Sequence, residues 1–390
     1  MPGPEFSPRP RRIRRGAALT LVFAGVLAAG AVTDALPHDR SSGDGETRPG
    51  AVRPSGPGVD RDDLVRVASE AVAEGGSAAQ AAEEVVSRSG DRWSAVYDPR
   101  EYEKFQQSLD GEYTGVGLWA RPTAGGRVEV ARVQPGGPAA KAGIRSGDRL
   151  RTIGGRSVEG RPVTEIVGLL RGEERTSVSL GLQRGSRTWT RELIRTTVPS
   201  ESVTVEQLSG GAVKIRVSSF TRGSGERVKD AVEDAPDGAG VLLDLRGNSG
   251  GLVTEAVTAA SAFLDGGLVA TYDVEGEQLA LYAEPGGDTG RPVVALVDSG
   301  TMSAAEMVTG ALKDRGRAVT VGSRTFGKGS VQMPSTLPDG SVAELTVGHY
   351  RTPEGYDVDG HGITPDLTPA EGEDPERRAE TVLSGLGPGP

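Results

Sequence analysis

The chain of 390 residues contains no cysteine. That absence removes thiol catalysis, a disulfide framework and thiolate metal sites together. Histidine is nearly as scarce: His38, His349 and His361 are scattered, a spacing that builds no zinc site. No metal and no cofactor is therefore expected. Positive charge is outweighed as well, with 44 Lys and Arg against 54 Asp and Glu, a net charge of −10 and a pI near 5.1. Beyond the first residues there is no basic stripe, so nucleic acid is not an expected partner. Among the cations lysine is the rare one, with Lys104, Lys141, Lys214, Lys229, Lys313 and Lys328 set against 38 arginines. A plain surface cation in this chain is ordinarily Arg, so a lysine in a distinctive place points to chemistry that guanidinium cannot do.

What the chain does have begins with an address. Arg9, Arg11, Arg12, Arg14 and Arg15 precede about 16 mainly apolar residues, 17–32, in which Ala29-Gly-Ala31 forms a small-residue cleavage pattern. Residues 1–33 read as a signal peptide or a signal anchor, a length that suits both. The remainder is expected to be exported to the cell envelope, tethered to the membrane through residues 17–32 or secreted after cleavage. Residues 34–59, rich in Pro, Gly, Ser and charge, read as a disordered linker.

Such a length accommodates two or three domains and a substantial core. Leu64, Val67, Ala68, Ala71 and Val72 recur at helical spacing and open a helical N-terminal segment, residues 60–110. Its Asp91-Arg-Trp-Ser-Ala-Val-Tyr97 stretch is assigned to packing. Residues 111–197 read as a unit of short strands with a helix over 163–170. There Gly115, Val116 and Gly117 offer consecutive backbone N–H groups that suit a free peptide carboxylate, and the strand edge after them suits the last residues of a peptide. Leu118 is expected to line an apolar pocket. The same glycines also suit a tight turn with no ligand. Residues 198–368 alternate strand and helix, which implies a core sheet covered by helices with chemistry at strand ends. Residues 369–390 read as a C-terminal tail, a short helix and a frayed Gly-Pro end.

Three glycine-bracketed pieces stand out in the α/β part: Asp244-Leu-Arg-Gly-Asn-Ser-Gly-Gly251, Ser303-Ala-Ala-Glu306 and Gly327-Lys-Gly-Ser-Val-Gln332. The apolar run 293–297 predicts a buried strand, and Ser303 opens a helix that carries Met307, Val308, Ala311 and Leu312 at helical spacing. A helix N-terminus favours negative charge, so the Ala304 amide is a candidate oxyanion donor. Ser303-x-x-Glu306 is equally a capping box, which by itself makes Ser303 a cap. Lys328 sits between two glycines after a strand at 318–321; burial there lowers an ammonium toward neutrality and makes it a base, whereas exposure leaves it a solvated charge. Gly322-Ser-Arg-Thr-Phe-Gly327-Lys328 matches a phosphate loop up to its lysine, but Gly329 replaces the magnesium-binding hydroxyl and no helix follows. Gly247-Asn-Ser-Gly-Gly251 mimics the serine loop of trypsin-like proteases, yet the sole upstream histidine is His38, in the linker, so Ser249 is not the expected nucleophile.

Together the three pieces resemble the carboxyl-terminal processing peptidases, also called tail-specific proteases, over residues 60–368. The family's Asp-Leu-Arg-x-Asn-x-Gly-Gly element is present at Asp244 to Gly251, its serine motif reads Thr301-Met-Ser-Ala-Ala-Glu306, and its Phe-Gly-Lys-Gly-x-Val-Gln element is intact at Phe326 to Gln332. Pro138-Ala-Ala-Lys-Ala-Gly-Ile-Arg-Ser-Gly-Asp148 is similar to the most specific run of a PDZ domain. The resemblance implies an α/β (α+β) protein: a crotonase/ClpP-like ββα protease core with an inserted PDZ domain at 111–197. It further implies Ser303 as nucleophile, Lys328 as general base supported by Gln332, and an oxyanion hole of the Gly251 and Ala304 amides. Gly115, Val116, Gly117 and Leu118 would hold the C-terminus of a protein or peptide substrate. An inactive PDZ scaffold is the alternative reading; crotonase-like acyl-CoA chemistry has no use for a PDZ unit or an export signal.

Overall fold

The computed structural model describes residues 59–387, apart from 124–125 and 275–276. The expected signal segment at 1–33 and nearly all of the linker at 34–59 lie outside the described residues. The first described segment folds as α1 (Arg61–Ala73), α2 (Ala78–Ser89), β1 (Ala95–Tyr97) and α3 (Pro99–Leu109). Each helix begins on a side chain that accepts otherwise orphaned backbone N–H groups: Asp60, Ser77, and Asp98 in a capping box with Glu101. Leu64, Ala68, Ala82 and Val86 bury against Leu337, Ala343 and Leu345 from the far end of the chain, so this segment is welded to the α/β part.

From β2 (Glu112–Gly115) the chain enters a second unit built from β3 (Leu118–Thr123), β4 (Arg127–Val133), α4 (Pro138–Lys141), β5 (Arg149–Ile153), β6 (Arg156–Ser157), α5 (Val163–Leu170), β7 (Ser177–Arg184) and β8 (Arg187–Ile194). The sheet runs β3-β4-β5-β7-β8, with β6 on β5, and closes over its own core of Val130, Leu150, Ile166 and Leu180. Strand β3 is left at the edge. β9 (Thr196–Pro199) then pairs antiparallel with β2, so entrance and exit form one two-stranded stalk.

The remainder comprises β10 (Val203–Gln207), β11 (Val213–Val217), α6 (Ser224–Glu233), β12 (Val241–Asp244), α7 (Val253–Ser261), β13 (Leu268–Val274), β14 (Glu277–Tyr282), β15 (Val293–Val297), α8 (Ala304–Asp314), β16 (Val319–Gly322), β17 (Ser330–Thr336), β18 (Val342–Arg351) and α9 (Pro375–Leu386). The central sheet runs β10-β11-β12-β15-β16, parallel from β11 onward. Every residue of β12 and β15 is buried, as expected of parallel strands covered on both faces. Alternation decides which cover each residue meets. Leu243, Val293, Ala295 and Val297 join the cluster under α6, α7 and α8, whereas Leu242, Val294 and Leu296 face Ala379 and Leu383 of α9. The segment expected as a tail is therefore a structural layer: without α9 the second face of the sheet would lie bare. A second sheet, β1-β18-β13-β14 with β17 on β18, brings the N-terminal segment beside the glycine loops.

Candidate active site

The three glycine-bracketed pieces follow β12, β15 and β16, so parallel strands deliver them to one end of the sheet. The first two are laced together. Asp298 Oδ1 accepts the N–H groups of Gly247 and Gly300, each at 2.9 Å, and the Thr301 hydroxyl donates to the Leu245 carbonyl at 2.9 Å. Fully buried Asn248 donates to the Val217 carbonyl at 3.0 Å, accepts the Gly250 N–H at 2.8 Å, and receives the Met302 N–H on its own carbonyl at 2.8 Å. A Cβ on Gly250, whose φ is +94°, would lie 2.9 Å from the Ser303 Cβ and from the Met302 carbonyl oxygen. Only glycine permits that approach.

Ser303 is the residue before α8, and its φ of 55° is a conformation that side-chain-bearing residues seldom adopt. Two bonds hold it there: its N–H donates to Glu306 Oε2 at 2.9 Å, and its carbonyl accepts the hydroxyl of buried Tyr350 at 2.9 Å. Among the described residues the amides of Gly251 and Ala304 have no acceptor, and Gly250 sits against both Ser303 and the Ala304 nitrogen. Two N–H donors thus stand unspent beside the serine, the arrangement an oxyanion requires.

The third piece is joined by the same carboxylate. Glu306 is fully buried, and Oε1 accepts the Thr325 hydroxyl at 2.5 Å and the Gly327 N–H at 2.7 Å while Oε2 accepts the Lys328 N–H at 2.9 Å. The backbone nitrogens of Ser303 and Lys328 therefore share one oxygen and lie within twice 2.9 Å of each other. Burial pushes the Glu306 carboxyl up, against the pull of its four donors. The Lys328 amine is pushed down by burial, which prevails over Asp91, Glu344, Asp359 and Glu306. Its Nζ lies 5.0 Å from the centre of the Trp93 ring, and no hydrogen bond joins it to Ser303 among the described residues. Gln332, expected to support Lys328, instead donates to Ser330 Oγ at 2.8 Å and to Thr346 Oγ1 at 3.3 Å.

Two residues escaped the sequence analysis in their full roles. Glu306 was visible as a capping residue, but its second oxygen and its grip on the lysine loop were not. Trp93 carried an aromatic signal beside Asp91, which suggested packing alone. The loop expected to bind a carboxylate is present: Gly115 ends β2, Gly117 turns at φ +68°, and Leu118 opens edge strand β3. It borders a cavity of about 390 Å³ with apolar Val167 and Leu170 of α5 on its wall. A larger cavity, about 620 Å³, runs from α3 to Ser219 and Ser249, and Tyr113 and Arg171 line both.

Residues 212–368 match the family described as Peptidase family S41, and residues 129–184 match the PDZ domain. Over 284 residues the chain is 33% identical to the Carboxy-terminal processing protease CtpA of Bacillus subtilis (strain 168), covering 71% of this chain and 60% of that protein. It is 34% identical over 285 residues to the Probable CtpA-like serine protease of Staphylococcus aureus (strain COL), covering 71% of this chain and 57% of that one. The chain thus spans less than two thirds of the length of these curated relatives. Among solved structures, the photosystem II D1 C-terminal processing protease superposes with a TM-score of 0.50 at 30% identity, over 80% of this chain and 86% of that one. A putative S41 protease from Bacteroides fragilis NCTC 9343 shares the fold at a TM-score of 0.50 and 18% identity, over 76% of this chain and 82% of that one.

Proposed function

The chain belongs to peptidase family S41, among the serine-type C-terminal processing proteases, and carries a PDZ domain; from that premise we propose that it is an exported endopeptidase using a Ser303–Lys328 dyad on protein chains with free C-termini. The neutral Lys328 amine takes the Ser303 hydroxyl proton, Oγ adds to the scissile carbonyl, and the Gly251 and Ala304 amides receive the oxyanion. Lys328 then protonates the leaving amine, and water cleaves the acyl-serine. The observation that carries this reading is Glu306 Oε2, which anchors the serine and lysine backbones to one point. From there the lysine's flexible four-carbon stem needs only to swing from Trp93 toward Oγ. Export rests on the basic-then-apolar pattern of residues 9–32, and C-terminus binding on the Gly115–Leu118 loop beside its apolar cavity.

A non-catalytic peptide-binding scaffold is the second reading, favoured by the position of Lys328 Nζ over Trp93. Digestion of an unstructured protein such as β-casein by the wild type and by Ser303→Ala separates the two. Cleavage lost in the variant supports the dyad; equal cleavage by both removes Ser303 from the chemistry.

A further inference from the structure

Trp93 comes from the segment before the PDZ unit, far in sequence from every glycine loop, yet its ring lies on the amine of Lys328. That position is built, not incidental. The Trp93 N–H donates to Asp91 Oδ1 at 2.8 Å, the Ser94 hydroxyl donates to Asp91 Oδ2 at 2.6 Å, and Ser94 Oγ accepts the Thr346 N–H at 2.9 Å, which fastens the turn to β18. β1 then continues the attachment, Val96 pairing with Ala343. On the other flank, Phe326 meets the indole edge-on at 5.8 Å between ring centres, and the Phe326 N–H donates to the Thr301 carbonyl at 3.0 Å. The aromatic wall is thereby tied to both the lysine loop and the serine loop.

Resting on the dyad reading, we propose that Trp93 is the positioning residue of the general base: its ring covers the Lys328 amine, keeps water from it and holds it within a swing of Ser303. The charged groups around the amine explain why an apolar cover is needed. Asp91 approaches from the same turn, Glu344 from β18, Asp359 from the loop after it and Glu306 from α8, all favouring the ammonium, while the Arg92 guanidinium lies 4.7 Å from the same indole centre. Burial alone opposes those four carboxylates, and it prevails. The attraction of an ammonium for the ring face favours the charged form and offsets part of that burial, and a Lys328 that gives up its proton loses this hold and is free to turn to Ser303. The indole N–H is buried and has no acceptor among the described residues.

The test is the rate at which a serine-directed acylating probe labels Ser303 in the full chain, followed from neutral to alkaline pH for the wild type, Trp93→Ala and Trp93→Phe. Exposing the amine to water favours its charged form, so Trp93→Ala is expected to move the rising limb to higher pH, with labelling near neutrality down about tenfold and recovered in alkali. Trp93→Phe, which keeps a ring, is expected to stay near the wild-type profile. If Trp93→Ala fails to fold, Trp93→Leu carries the test with the same direction and a smaller shift. A limb that stays in place while the rate falls uniformly would reduce Trp93 to a structural role and overturn the proposal. No label at Ser303 in the wild type at any pH would instead overturn the dyad reading on which it rests.

Discussion

Two carboxylates in this protein are completely buried beside the same loops, and their surroundings could hardly differ more. Asp244, at the end of β12, is ringed by charge: Arg246 donates at 2.8 and 2.7 Å, Arg216 at 3.0 Å, and Arg246 reaches on to Glu376 of α9 at 2.7 Å. Burial raises the Asp244 carboxyl, but Arg246 and Arg216 carry it below its usual range. Glu306 meets only uncharged donors, three backbone amides and one hydroxyl, and burial carries it above its usual range. The difference separates a brace from a working part. Asp244 locks the core sheet to its last helix with countercharges, whereas Glu306 gathers the serine and lysine loops and places no cation on its own oxygens that would compete with the Lys328 amine. Their pH linkage has opposite sign. Asp244 contributes stability above the unfolded value of about 3.9, lost as pH falls through its lower folded value. Glu306 contributes below the unfolded value of about 4.3, lost as pH rises through its higher folded value.

The strongest cut at this contrast removes what Glu306 serves. Ser303→Ala and Lys328→Ala are each expected to lower kcat by about 10⁴-fold or more with an unchanged thermal midpoint, measured on a peptide substrate and by calorimetry. Asp244→Ala should do the reverse. It takes the buried carboxylate from Arg216, which is 41% exposed, and from Arg246, which keeps Glu376, and this costs about 2–3 kcal/mol and several degrees in Tm, with kcat per folded molecule preserved. A large loss of kcat without a fall in Tm would erase the distinction. Glu306→Gln is a subtler probe: its amide presents donors to backbone donors, so kcat is expected to drop about 10²-fold with KM little moved. Smallest is a change that leaves both carboxylates alone. Gly117→Ala places a Cβ 3.1 Å from that of Gln134 at a φ of +68°, and should raise KM about tenfold for substrates with a free C-terminus while sparing kcat. An equal rise for substrates with an amidated C-terminus would remove that loop from carboxylate binding.

Local signals made much of this legible. The apolar run of β15, the helix opening at Ser303 and the glycines flanking Lys328 are encoded within a few residues of one another, so spacing alone reveals them. What spacing cannot show is pairing across the chain. The Ser94 bond to Thr346 spans 252 positions, and nothing local in Trp93 tells that β18 will carry it to Lys328. The capping-box signature revealed the bond from the Ser303 N–H to Glu306 but left the other oxygen's partners, Thr325 and Gly327, hidden until the loop after β16 folded back. Likewise Ala379 and Leu383 are too sparse a stripe to announce that α9 covers a sheet face; the alternation of Leu242 against Leu243 demands that cover, and only the fold names its source.

The account turns on proton transfer between two side chains whose backbones Glu306 binds to one oxygen. Its most direct measurement is to react the purified protein with a serine-directed acylating probe and map the label by mass spectrometry, in the wild type and in Lys328→Ala. The account predicts a label on Ser303, formed faster as pH rises through a group ionising below the free-lysine value of about 10.4, and abolished by the lysine substitution. A label on Ser249, or a Ser303 label formed equally fast without Lys328, would contradict it.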